Sequence, residues 1–490
     1  MNRSRSVDLK AIAVMAMEKY GFRPQFPVPV VQEVNAMPDQ IPPGNRSATR
    51  DLRSLLWSSI DNSDSMDLDQ LEFCETGPEG TIQVRIAVAD VDIFVPEHSP
   101  ADRYAVHNGT SVYTGIVTFP MLPDRLSKDL SSLLPDRDRL AMVVEYTILA
   151  DGSFRPGDVS RALVRNKAKL VYESLGEWLE GTGPIPPLVR DTPGLEAQIN
   201  LQKEASLRLR QKRMDQGALD LETIEAQPIV EGDTVRDLVI QQPNPARKII
   251  EEFMIAANGT MVAYLNNAGI PMIQRVVRVP KYWDEIVLNA ATHGTTLPPE
   301  PDVRALASFL KKEKAADPER FPDLSLTVIK LLGPGEYMML EPGTPPTGHF
   351  SMAVTDYTHG TAPNRRYVDL INQRLLKSVL DRKPSPYTVD ELVDLSAWLS
   401  DREKGSKKVE RFMRKAAAAV LLENRIGDSF DAIVTGASEK GSYVRLFVPP
   451  AEGRILRGEQ GLRVGQKVTV RLLKTDPYNG FIDFEYIGKK

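Results

Sequence analysis

The stretch "IDNSDSMDLDQ" (residues 60–70) places Asp61, Asp64, Asp67 and Asp69 close together and then ends on the uncharged Gln70. Carboxylates this dense repel one another, so water or a cation must lie between them. Three readings fit the spacing. One is a solvated acidic bend, the usual state of a charge run. A second is a calcium loop with Asp61, Ser63, Ser65 and Glu72 at its first, third, fifth and twelfth positions, although Met66 then stands where the turn needs glycine. The third is a site for hard divalent cations, with Asp61, Asp67 and Asp69 as oxygen donors. Two such ions can clamp the attacking and leaving oxygens of a phosphodiester.

The rest of the chain narrows the context. Its 490 residues exceed what one hydrophobic core supports, so two to four domains are expected. The single cysteine, Cys74, excludes an intrachain disulfide and points to a reducing compartment. No apolar run approaches the roughly 18 residues that span a bilayer, which excludes membrane-spanning helices. The opening "MNRSRSVDLK" has basic residues without an apolar core behind them. No signal peptide is read there, and the expected location is cytoplasmic. The net charge of -5 disfavours a uniformly basic nucleic-acid binder but leaves local basic patches open.

The periodicities predict an α+β protein. Residues 6–20 read as a helix capped by Ser6 and ended by Gly21, and a second helix covers 30–36. Together they form a small helical domain over 1–48, either a helix-turn-helix or a cap packed on the next domain. From about Arg50 to Lys383 strands and helices mix. "TIQVRIAV" (81–88) alternates as a half-buried strand does, and "LAMVVEYTIL" (140–149) reads as a buried strand. Residues 246–269 form a long helix with Ile249, Phe253, Ala256 and Ala257 on one side and Gly269 as its stop. Thr388 and Glu391 make a capping box that opens an acidic helix. A basic helix follows over 405–425, where Lys407, Lys408, Arg411, Arg414 and Lys415 form one stripe, facing either phosphate or water.

The tail, 425–490, changes to short β-rich runs separated by glycines and predicts a five-stranded OB-fold barrel. It carries 11 Lys and Arg against 8 acids, so it is basic within an acidic chain. Tyr443 and Phe447, with Arg445 and Lys440 nearby, offer a surface on which bases can stack. Elsewhere, "TAPNRRYVDLINQRLL" (361–376) sets Arg365 and Arg366 beside a turn proline, with Arg374 further along a helix. Guanidinium groups match phosphate oxygens in a fixed fork, so these arginines suit phosphoryl chemistry or structural ion pairs.

In these segments the sequence resembles the ribonuclease II / ribonuclease R family through its RNB catalytic domain. The aspartate stretch resembles that family's I-D pair followed by D-x-D-D. "IAVADV", "GTSVY", "PMLP" and "LSKDLSSLLP" follow in the family's order. "IIEEFMIAAN" (249–258) and "YTHGTAPNRRYVDLINQRLL" (357–376) complete the match. The tail is similar to the S1-type OB-fold that ends many members.

The resemblance implies an RNB catalytic domain over 49–385, built as a mixed sheet surrounded by helices. It also implies a helical segment over 386–424 and an S1-type RNA-binding domain over 425–490. The implied activity is processive 3′→5′ hydrolysis of single-stranded RNA with a free 3′ end to nucleoside 5′-monophosphates, assisted by one or two Mg²⁺ ions, with Mn²⁺ able to substitute. Asp61, Asp67 and Asp69 are then catalytic and hold metal, with Gln70 at a fourth metal position. Arg365 stabilises charge on the scissile phosphate. Tyr113, Glu252, Arg366, Tyr443 and Arg445 are the expected substrate-binding residues, with Glu251 the alternative to Glu252. A monomer without an obligatory protein partner is expected. Metal-activated water needs no histidine base, which fits a chain with only 5 His.

The sequence also departs from the family pattern. Gln70 replaces an aspartate, Val88 a histidine and Asp92 a serine, and Asn364 and Gln373 fall within the arginine motif. Gln70 offers a carbonyl oxygen but no charge, so weaker binding of a second ion is expected, unless Asp64 or Asp92 restores the charge. Residues 1–48 leave no room for the family's cold-shock domains. A catalytically impaired RNA-binding relative and a DNA-preferring exonuclease are the alternatives.

Overall fold

The computed structural model describes residues 7–39, 49–222, 226–231, 234–240, 243–345, 347–438 and 441–489. Ser6 and Lys440 lie outside the described residues. A seven-stranded mixed sheet organises the part of the chain that precedes the long helices. It comprises β1 (Thr49–Asp51), β2 (Ser58–Asp61), β3 (Gln70–Thr76), β4 (Ile82–Ala89), β7 (Asp138–Ile148), β8 (Phe154–Arg165) and β9 (Ala168–Val171), in the order β1-β8-β7-β4-β3-β2-β9. β1 on β8 and β2 on β9 are parallel, and the central pairs are antiparallel. β4 alternates buried and half-buried residues in its first half and is buried throughout its second. The hairpin β5 (Val112–Tyr113) and β6 (Thr118–Phe119) projects between β4 and β7 in the chain.

Helices α1 (Leu9–Lys19) and α2 (Val28–Asn35) precede the sheet, and α3 (Pro100–Asn108) follows β4. Asp8, not Ser6, caps α1, its carboxylate accepting from Ala11 N. Next come α4 (Tyr172–Glu180), α5 (Pro187–Asp191), α6 (Leu195–Asp215), the hairpin β10 (Ala226–Glu231) and β11 (Thr234–Ile240), and α7 (Pro245–Asn267). The Asn244 side chain caps α7 by accepting from Ala246 N and Arg247 N, and Gly269 leaves the helix at φ +71°. α6 packs along β3, and α7 crosses β7 and β8.

β12 (Met272–Val276) pairs with β13 (Glu336–Leu340) around an excursion of three helices, α8 (Trp283–Thr292), α9 (Val303–Ala316) and α10 (Phe321–Leu332), which have their own apolar core. α11 (Tyr367–Leu380) is buried along most of its length.

In the helices one sequence expectation changes, and the alternative left open for residues 1–48 is decided in favour of a cap. The acidic and basic helices are one helix, α12 (Val389–Leu422), opened by the expected Thr388–Glu391 capping box. Gly405 does not break it. A Cβ there would lie 2.9 Å from the Phe22 ring, so glycine is retained for the close approach of the N-terminal segment. The basic stripe is partly occupied, Lys407 pairing with Glu403 at 2.7 Å and Lys408 lying 6.0 Å from the Tyr20 ring centre. The first two helices do not bury their faces on each other as a helix-turn-helix does. α1 packs on α12 and α2 packs on α3, because helices this short gain stability only from tertiary contact.

The tail forms the expected closed barrel: β14 (Ser429–Ser438), β15 (Gly441–Leu446), β16 (Glu452–Arg457), β17 (Lys467–Asp476) and β18 (Phe481–Lys489), ordered β14-β15-β16-β18-β17. Ala418, Ala419 and Leu422 of α12 enter its core, while Val409 and Met413 belong to the core under α1. One helix therefore joins three cores, since its Leu392 and Leu399 also belong to the main core around the sheet.

The expectation that Arg445 meets substrate is corrected. It is 7% exposed and pairs with Asp323 of α10 at 2.9 Å, because a buried guanidinium requires a counter-charge. Beside it, Lys467 reaches Glu319 at 3.2 Å. Arg445→Ala and Asp323→Ala should each destabilise the protein to urea, and the double variant should lose less than their sum. The expected coupling is about 0.5–3 kcal/mol. Strict additivity would mean that the pair does not tie barrel to helices.

Candidate active site

The aspartate loop runs from the end of β2 to the start of β3, and side chains from a loop before β7 and from β9 hold its backbone. Ser132 Oγ accepts from Leu68 N at 2.9 Å and donates to Met66 O at 2.6 Å. Lys169 Nζ donates to the carbonyls of Ser63 at 2.9 Å and Ser65 at 2.5 Å. Loop carbonyls that water would otherwise bind are thus satisfied by the protein. β3 follows the loop where a calcium loop would need a helix, which removes the calcium reading. The solvated-bend reading fits Asp64, which is exposed, but not Asp69, which is 3% exposed.

Asp69 faces a turn almost three hundred residues away in sequence. Its Oδ1 accepts from Asn364 N at 2.9 Å, and its Oδ2 lies 3.4 Å from Arg365 Nε. Burial pushes its carboxyl up to about 7, with Arg365 pulling the other way. Burial also raises Asp67, and the charge of Asp61 adds to that. Tyr113, 42% exposed, brings its hydroxyl to 3.4 Å from Asp67 Oδ2. The segment before Tyr113 is fixed to the same turn, since Ser111 N donates to Arg365 O at 2.9 Å and Thr110 Oγ1 does so at 3.1 Å. Asp61 turns its Oδ1 to Asn62 N at 2.7 Å and Ser65 Oγ at 2.8 Å. Gln70 is half-buried at the first position of β3. Asp61, Asp67, Asp69, Gln70, Tyr113 and Arg365 therefore converge at one end of the sheet.

The fit of a metal rests on the donors that the site offers. Among the described residues no three His, Cys, Asp or Glu side chains already stand as a ready metal cluster. Asp61 is turned to donors within its own loop, and Asp69 to the Asn364–Arg365 turn. The donor set is nonetheless oxygen-only, the kind hard divalent cations take.

With the site assembled from the two motifs, the comparisons with known proteins agree on the lineage. The RNB domain model matches residues 49–382, and the RNase II-type exonuclease C-terminal S1 domain matches 428–487. The chain belongs to the RNB-domain family. Ribonuclease R 1 of Lactococcus lactis is 27% identical over 94% of this chain and 59% of its own length. Ribonuclease R of Aquifex aeolicus is 29% identical over 98% of the chain and 71% of its own. The chain thus spans about three fifths to seven tenths of these relatives. Mycoplasma genitalium RNase R, solved in apo form and with ribose methylated single-stranded RNA, aligns at TM-score 0.86 and 23% identity, covering 98% of this chain and 78% of that one. That likeness concerns the fold.

Within this RNB site several sequence expectations require correction. Glu252 is 1% exposed and lies under a fork from Arg213, at 2.8 Å and 2.6 Å. It is occupied as a structural counter-ion, and its neighbour Glu251 is the accessible acid, with 43% of its side chain exposed. Arg366 donates through Nε and Nη2 to Asp369, both at 2.8 Å, and so braces the turn. Arg374 is likewise structural, bonded to Asp92, Asp102, Tyr387 and Val95 O. Asp92 does not restore the missing charge either, since Arg374 and Lys377 hold it and its carboxyl is lowered. Tyr443 remains 41% exposed on the barrel.

The apparent departures in the arginine motif have structural partners. Asn364 Oδ1 accepts from Ser131 Oγ at 2.6 Å. Gln373 clips the end of β4, its Oε1 accepting from Asp92 N at 3.0 Å and its Nε2 donating to Ala89 O at 2.8 Å. Sequence reading did not find the backbone role of Asn364 or the clamp of Lys169, and no local pattern marks either. It assigned Glu72 only to the calcium loop. The available signal there was an acid inside a buried strand, on the face of Gln70.

Removing Glu252 takes from the largely buried Arg213 its two shortest hydrogen bonds and leaves it Glu251 at 3.5 Å and the Met352 carbonyl at 3.3 Å. Glu252→Ala should lower unfolding free energy by about 3–5 kcal/mol in urea titrations, and Glu252→Gln by less. A neutral Glu252→Ala would remove the structural assignment.

Proposed function

We propose that this chain is a 3′→5′ exoribonuclease that degrades single-stranded RNA processively to nucleoside 5′-monophosphates. The observation that carries the reading is the docking of Asp69 against Asn364 and Arg365 beside the rest of the aspartate loop. Acidic donors for a cation and a cation for phosphate thereby meet at one place. Membership of the RNB family and the likeness to proteins named ribonuclease R support the same chemistry.

Asp61, Asp67 and Asp69, with the Gln70 carbonyl, would hold Mg²⁺. When bound, that ion supplies a water of lowered pKa and neutralises charge on the phosphate. Arg365, with 43% of its side chain exposed, is free to turn toward a phosphate and stabilise charge that grows in the transition state. Tyr113 presents an exposed ring that accepts an unstacked base without reading its identity. The burial of Asp69 excludes water from one side of the reacting centre and strengthens each of these interactions. Tyr443 and Phe447, each 41% exposed on the barrel, form a stacking surface for RNA further from the cleavage point.

Incubation of 3′-labelled oligo(A) with Mg²⁺ should release labelled mononucleotide from the first turnover, and a 2′-deoxy oligomer should resist. A chain that binds oligo(A) but releases no monophosphate at any Mg²⁺ concentration is an RNA-binding relative instead. Asp69→Asn should abolish hydrolysis while retaining oligo(A) affinity, since the amide oxygen still accepts from Asn364 N; joint loss of both would make Asp69 a structural residue. Tyr443→Ala should weaken oligo(A) binding by about 1–3 kcal/mol in fluorescence titrations, and unchanged affinity would remove the barrel from the RNA path.

A further inference from the structure

One acid beside the cluster has no role so far. Glu72 lies two residues beyond Gln70 on β3, and side chains at i and i+2 of a strand share a face. It is 0% exposed, and among the described residues neither of its carboxylate oxygens has a hydrogen-bond partner. Its cross-strand neighbour is Ser58, from which β2 leads directly to Asp61. Asp61 is also the acid within electrostatic reach of it. Tyr172, whose ring the Arg247 guanidinium covers at 4.1 Å, lies in the joint field of Asp61, Glu72, Arg247 and Arg365. Arg247 in turn donates to Asn62, next to Asp61. Glu72 therefore sits on the Asp61 flank of the cluster.

Burying a carboxyl without a hydrogen-bond donor is costly, and such a group persists only where something offsets the cost. A divalent cation held at the aspartate loop would offset it. We propose that Glu72 supplies the negative charge that Gln70 lacks, acting as a positioning residue that strengthens binding of a divalent cation at the aspartate loop through Asp61 or a bridging water. This inference rests on the reading of the cluster as a metal site. The competing structural account lies in the same pocket. Gln202 Oε1 also lacks a partner, and Gln202 Nε2 is 3.5 Å from Ser58 Oγ, so a protonated Glu72 could instead serve Gln202.

Mn²⁺ titration of the metal-free full-length chain, followed by electron paramagnetic resonance, separates these accounts without reference to activity. Glu72→Gln should bind Mn²⁺ at least about tenfold more weakly, the scale of a lost outer partner. Its metal-free melting temperature should equal or exceed that of the unaltered chain. Adding Gln70→Asp to that variant should restore affinity. If Glu72→Gln binds as tightly as the unaltered chain while Asp61→Asn does not, Glu72 belongs to Gln202 and the inference falls alone. If the unaltered chain takes up no Mn²⁺, or Asp61→Asn and Asp69→Asn bind it equally well, the metal site itself is refuted and the inference with it. Should Glu72→Gln fail to fold, Gln70→Asp alone decides. Little change in affinity supports the inference, and a gain of about tenfold shows that the charge was missing and overturns it.

Discussion

The burial of Asp69 is the constraint on which the site depends. A carboxylate taken out of water needs donors, and the nearest ones come from the turn at Asn364 and Arg365. That requirement fixes the distance between the β2–β3 loop and the turn before α11. The surrounding contacts maintain the same distance: Arg366 braces the turn through Asp369, Ser131 holds Asn364, and Gln373 holds the end of β4. Tyr113 is carried along because its segment is bonded to the backbone of Arg365. The Tyr113 ring and Arg365 are therefore parts of one unit.

Burial also sorts the cations by role. Arg213, Arg374, Lys377 and Arg445 are largely enclosed and each has a carboxylate partner, so their charge is already neutralised where it sits. They hold helices and domains together. Arg365 is different, because its pairing with Asp69 is longer and its side chain is partly exposed. Of the arginines in the 361–376 motif, it is the one whose guanidinium remains available to a phosphate. α12 extends the same logic across domains, since it shares apolar cores with the sheet, with α1 and with the barrel, and so ties the barrel to the RNB domain.

The loop itself illustrates how a dense acidic run becomes a site. In water the four aspartates would separate and hydrate. Here Ser132 and Lys169 fix the backbone, β3 continues it into the sheet, and only Asp64 remains fully in solvent. The loss of charge at Gln70 is therefore felt within a rigid frame, where a neighbouring acid on the same strand face can compensate and a distant one such as Asp92, held by Arg374, cannot.

Much of this was legible in the sequence. The strand alternation, the capping box, the five short β-runs of the tail and the aspartate and arginine motifs are local patterns, and local patterns survive without the fold. They determined the RNB and S1-type architecture and the converging residues Asp61, Asp67, Asp69, Tyr113 and Arg365. Tertiary structure decided which charges are free. Glu252, Arg366, Arg374 and Arg445 look equivalent to Arg365 or Glu251 in a list of residues, but each meets a buried counter-charge contributed by another part of the fold. Availability of a charge depends on burial and on partners distant in sequence. Those are set only when the chain has closed on itself.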